Sequence, residues 1–140
     1  MGIYPAWISE GEATMTNSEN EARSTLESIT DLVKRLEILQ EVSDEDADDV
    51  REEIQSSALS VDVRSGWVSV PTFALNDPAE YQILLYWGGP AVRIVGNLSR
   101  YRQPETARIE HQGWGTPWTE LVHQSHDTLL TFACQFYYGS

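Results

Sequence analysis

The chain has 140 residues, 22 Asp and Glu against nine Lys and Arg, and a formal net charge of −13. That length suits one domain of ~100–200 residues, and an apolar fraction of 41% with five Trp, six Tyr and three Phe sets the chain apart from disordered sequences, which are poor in aromatics. The charge argues against direct binding to DNA or RNA, whose phosphates require Lys and Arg, and against acidic membrane surfaces.

Residues 1–17 read as a flexible leader, and Met15-Thr16-Asn17-Ser18 resembles an ordinary start. The domain is expected over 18–140. Ser18-Glu19-Asn20-Glu21 is a capping box in which Ser18 covers the Glu21 amide. Ala22, Leu26, Ile29, Val33 and Leu36 follow at spacings of four and three residues, with Leu32 and Leu39 broadening the stripe. This pattern predicts a helix over 19–41. Its apolar stripe either packs on its own domain or pairs two copies in a homodimer.

Ser43 caps a second helix that ends near Ser56 or Ser57, with acids in its first turn, where the helix dipole favours them. Ala47, Val50 and Ile54 form its apolar stripe, and the two helices read as an αα-hairpin. Leu59, Val61 and Val63 then alternate with polar residues at the period of a strand. Ser65-Gly66 is a turn, 67–70 a short strand, and 71–78 a loop with two prolines. Glu80 to Trp87 and Ala91 to Leu98 are strong strands joined by Gly88-Gly89-Pro90, and Thr106 to Gln112 alternates as another. Ser125 or Asp127 caps a last helix whose apolar face is Leu129, Leu130, Ala133, Phe136 and Tyr137. The order predicts an α+β domain, with an N-terminal helical hairpin and a C-terminal helix on an antiparallel sheet of three or four strands.

Cys134 is the single cysteine. It excludes an internal disulfide, fits a reducing cytoplasm, and in its apolar setting reads as a core residue rather than a nucleophile. The N-terminal residues lack the pattern of a secretory signal, and no run approaches the ~18 apolar residues of a membrane span. His123 and His126, with His111, are the only histidines. They support either a small metal-binding enzyme built around His111, His123, His126 and Glu110 or boundary histidines without a ligand role, and no metal or other cofactor is assigned to them.

Two features stand out as interaction surfaces. Residues 1–57 hold 15 carboxylates and four basic residues, so nearly all the net charge lies there. Within the 13 residues from Glu41 to Glu53, eight are acidic: Glu41, Asp44, Glu45, Asp46, Asp48, Asp49, Glu52 and Glu53. They form either a solvated helix face or a negative surface that takes the place of nucleic acid on a basic protein. Gly113-Trp114-Gly115-Thr116-Pro117-Trp118 places two Trp around a turn, as apolar anchors for a partner or as a lid on the core.

A short acidic chain with an acidic helix and no catalytic motif resembles phage and mobile-element proteins of the anti-CRISPR and anti-restriction type. Gly88-Gly89-Pro90-Ala91-Val92-Arg93-Ile94 and the Trp114–Trp118 turn are similar to small phage proteins over about residues 58–138. The resemblance implies a non-enzymatic inhibitor, monomeric or homodimeric. It would bind a basic surface of a host protein or ribonucleoprotein complex in the bacterial cytoplasm.

Overall fold

The computed structural model describes residues 16–67 and 78–139. Helix α1 (Asn17–Gln40) and helix α2 (Asp44–Ser56) precede strands β1 (Ser60–Ser65), β2 (Pro78–Trp87), β3 (Ala91–Asn97), β4 (Arg108–Gln112) and β5 (Thr119–Glu120), and helix α3 (His126–Ala133) closes the order. The strands form one antiparallel sheet in the order β1-β2-β3-β4-β5. This is the expected α+β class, with one strand more than the three or four expected. The addition is β5, whose two residues are too few to carry an alternation pattern.

The register explains the core. Val61, Ile83, Ile94 and Ile109 lie side by side across four strands. Ile83, Ile94 and Ile109 are fully buried, as is Val92 two residues along β3. Full burial of such a side chain is worth roughly 1.5–3 kcal/mol, and β-branched residues suit a pleated surface packed on one side. Helix α1 lays Ala22, Ile29, Val33 and Leu36 against this face, and α3 adds Leu129, Phe132 and Ala133. The α1 stripe is therefore used inside the domain, with Leu26 and Leu32 partly buried at its margin.

Helix α2 packs on α1 through Ala47, Val50 and Ile54. Ser43 caps it, its hydroxyl accepting from the Asp46 amide at 3.3 Å. The predicted cap of α1 shifts by two residues. Thr16 is the N-cap, its hydroxyl accepting from the Glu19 amide at 3.1 Å. Thr16-Asn17-Ser18-Glu19 has the same Ser/Thr-x-x-Glu spacing as the box expected at Ser18, and a stripe that begins only at Ala22 cannot distinguish two starts so close together. The expected leader thus loses Thr16 and Asn17 to the helix, and residues 1–15 lie outside the described residues.

Pro78 begins β2 rather than ending a loop, at the first-residue position where a strand tolerates proline. Trp67 follows β1 without strand structure, and the remainder of the predicted strand and loop, 68–77, lies outside the described residues. Gly96 faces Tyr81 across β2 and β3. A Cβ there would lie 2.0 Å from the Thr106 carbonyl oxygen, so only glycine fits. Tyr81 donates to that same carbonyl at 2.7 Å and packs against Tyr138, ring centres 5.1 Å apart with the planes tilted by 58°. Tyr138 in turn donates to Ala133 O at 2.6 Å. Tyr138, buried, takes the place expected of Tyr137, which is exposed. Among the described residues no helix is long and apolar enough to cross a membrane.

Candidate interaction surface

The acidic run lies on the outermost layer. Helix α2 touches the domain with one narrow stripe, so the rest of its circumference faces water. All eight residues, Glu41, Asp44, Glu45, Asp46, Asp48, Asp49, Glu52 and Glu53, are exposed. Two carry an arginine partner among the described residues: Glu53 with Arg35 and Asp48 with Arg51, each at 2.5 Å. The Arg35 hydrogen bonds hold the Glu53 carboxyl below its ordinary range. The other six have no ion pair among the described residues. The seven carboxylates of the ten residues from Asp44 to Glu53 span about 15 Å of helix axis. Five of these seven carry no ion pair among the described residues, one charge per ~3 Å, against about 3.4 Å along one strand of duplex DNA.

The two tryptophans do not join this surface. Trp114 is 93% exposed and borders a cleft of about 640 Å³ with Thr16, Ser18, His111 and Glu120. That cleft lies at the start of α1. The acidic run folds back only as far as Arg35, about 25 Å of helix away from Ser18. Trp118 lies on the opposite side of the sheet, its ring 4.1 Å from the Arg93 guanidinium carbon. Neither ring is a lid on the core.

The sheet face turned away from the helices carries a charged cluster that the sequence alone did not single out. Arg93 bonds Glu110 at 2.7 Å and Gln82 at 2.6 Å, and Arg108 bonds the other Glu110 oxygen at 2.9 Å. Glu110 is only 8% exposed. Burial alone would raise its pKa, but the bonds from Arg108 and Arg93 outweigh this and hold the carboxyl below the ordinary range. Alternation in β3 and β4 was the available signal. Once Arg93 pairs with Glu110 in register, both must leave the apolar face together.

Comparison with protein-family models, curated proteins and solved structures returned no match.

The histidines are scattered. His111 Nδ1 lies 2.9 Å from the Ser18 hydroxyl, His123 Nδ1 accepts from the Ser125 amide at 2.9 Å, and His126 lies 3.8 Å from Asp127. Among the described residues no three His, Cys, Asp or Glu side chains converge as a metal site. Burial lowers the His123 pKa against the opposing pull of Glu120. Ser125 holds the N-cap position of α3 without a side-chain cap bond. Cys134 is exposed at the end of α3 rather than in the core, because Phe132 and Ala133 take the inward positions of that turn. Partial burial still raises its thiol pKa, the direction opposite to an activated nucleophile.

Proposed function

We propose that this chain is a non-catalytic inhibitor of the phage anti-defence type. It docks the outer face of α2 on a basic surface of a nucleic-acid-handling protein and so excludes nucleic acid. The observation that carries this reading is the exposed carboxylate row from Asp44 to Glu53, on a helix whose one apolar stripe is already used against α1. Its charge spacing along the axis approaches that of a nucleic-acid backbone. A row of like charges on a fixed helix attracts a basic groove at long range and is screened by salt. The tryptophans lie outside this face, so charge rather than an aromatic anchor supplies the encounter.

The test is capture on the tagged chain at low and high salt, from a lysate of its bacterial host. The reading requires a nucleic-acid-binding protein retained at low salt, released at high salt and displaced by DNA or RNA. Its capture must also fail with the Glu45→Lys, Asp48→Lys, Asp49→Lys variant. A captured protein indifferent to that variant contradicts the reading.

A further inference from the structure

We infer that the sheet face turned away from the helices holds a binding site for a small monocarboxylate, seated over Val95 between Gln82 and Arg108. This inference is independent of the docking face on α2. A cleft of about 190 Å³ lies there, lined in part by Gln82, Arg93, Val95, Asn97 and Arg108. Drug-sized ligands occupy pockets of ~300–1,000 Å³, so this one suits a smaller molecule.

The register places its walls. Asp62, Gln82, Val95 and Arg108 stand opposite one another across β1, β2, β3 and β4, and residues paired in this way share one side of a sheet. Arg93 and Asn97 lie two residues either side of Val95 on β3, so they point the same way. Val95 is half-buried. The four positions beside it, two across and two along, are all hydrogen-bond donors, and none is a carboxylate.

One of these donors is spent and three are not. Arg93 gives Nε and Nη2 to Glu110, at 2.9 and 2.7 Å, and Nη1 to Gln82 Oε1 at 2.6 Å. Arginine has no acceptor, so the Gln82 atom it meets must be the oxygen, which leaves Nε2 to donate elsewhere. Arg108 uses only Nε, on Glu110 at 2.9 Å. Its two Nη groups, Gln82 Nε2 and the Asn97 side-chain amide have no partner among the described residues. Glu110 is one carboxylate shared by two guanidiniums, so one positive charge is left over beside Val95. A single carboxylate matches that excess: it takes the Arg108 Nη pair as a fork and the Gln82 amide, and its apolar body lies on Val95. Arg64 and Glu80 already pair. Asp62, exposed at the far end of the row, is about 10 Å from Val95 across two strands. A second negative charge, as on phosphate, would be repelled by Asp62.

The experiment is an NMR titration of the full chain with butyrate at millimolar concentration, with butanol and inorganic phosphate as comparison arms. Butyrate is expected to shift the Val95 methyl and Gln82 side-chain amide resonances to saturation. Butanol, which lacks the charge, and phosphate, which lacks the apolar body, are expected not to. Gln82→Glu still accepts from Arg93 but turns a second carboxylate oxygen towards the site, and should weaken butyrate about tenfold or more. Arg108→Gln should do the same by removing the fork, while Arg108→Lys, which keeps the charge without the planar fork, should fall between.

Circular dichroism verifies that each variant is folded. A wild-type chain with no saturable shift at Val95 and Gln82 overturns the inference. So do equal shifts from butanol or phosphate, and a folded Gln82→Glu or Arg108→Gln variant that binds butyrate as wild type does.

Discussion

The Arg93 guanidinium lies 4.1 Å from the centre of the Trp118 ring while its nitrogens bond Glu110 and Gln82. A cation set over an indole while its nitrogens bond a carboxylate and an amide is tied on two sides, so this contact fastens the segment before β5 to the sheet. Trp118→Ala is expected to cost about 1–2 kcal/mol in denaturant unfolding, from the lost cation–π contact and the lost cover. Trp114→Ala, at a fully solvated ring, should stay within roughly 0.5 kcal/mol of wild type. Equal effects at the two positions would contradict this assignment.

Glu110 links that contact to pH. Its folded-state pKa is depressed, so the unfolded chain binds more protons in the acid range. The stability it contributes is present above the ordinary glutamate pKa and is lost as pH falls through the lower folded value. Glu110→Gln should lower stability at neutral pH by about 1–3 kcal/mol, since two arginines lose their acceptor. It should also flatten the acid limb of a stability–pH curve. An unchanged acid limb would assign that slope to other groups.

Among the described glycines, Gly96 has the closest neighbour to a built Cβ. Gly96→Ala forces a Cβ to within 2.0 Å of the Thr106 carbonyl oxygen, and backbone cannot move aside as a flexible side chain can. Thermal unfolding should register a loss of roughly 3 kcal/mol. Tyr81→Phe, which removes only the bond to that carbonyl, should cost about 1 kcal/mol.

The start of α1 distinguishes capping from packing. Thr16→Ala removes the acceptor for the Glu19 amide and should cost about 1 kcal/mol, with faster exchange of that amide. Ser18→Ala should leave the Glu19 amide protected. It should instead move the His111 ring resonances in an NMR spectrum, because it removes the hydroxyl 2.9 Å from Nδ1.

Legibility followed local periodicity. The α2 bounds, the β2–β3 hairpin and the fold class could be read because the Ser43 cap, the Gly88-Gly89-Pro90 turn and the apolar alternation all act within a few residues. Thr16 and Ser18 offer the same capping chemistry two residues apart, and only the distant contact of Ser18 with His111 decides between them. Cys134 sits in an apolar run, yet a short helix buries only part of its circumference, and Phe132 and Ala133 took the inward places. The Arg93, Glu110 and Trp118 cluster needs the register of β3 with β4 and the path of the chain back past β4. No window of sequence contains either. The acidic row was legible as composition; the packing of α2 on α1 decides which side of it faces water.

The most direct test of the docking reading is displacement. A labelled DNA or RNA bound to the captured partner is titrated with the wild-type chain and with the Glu45→Lys, Asp48→Lys, Asp49→Lys variant. The account predicts that wild type displaces the nucleic acid, less effectively as salt rises, and that the folded variant does not. Equal displacement by both, or binding of wild type that leaves the nucleic acid in place, would contradict it.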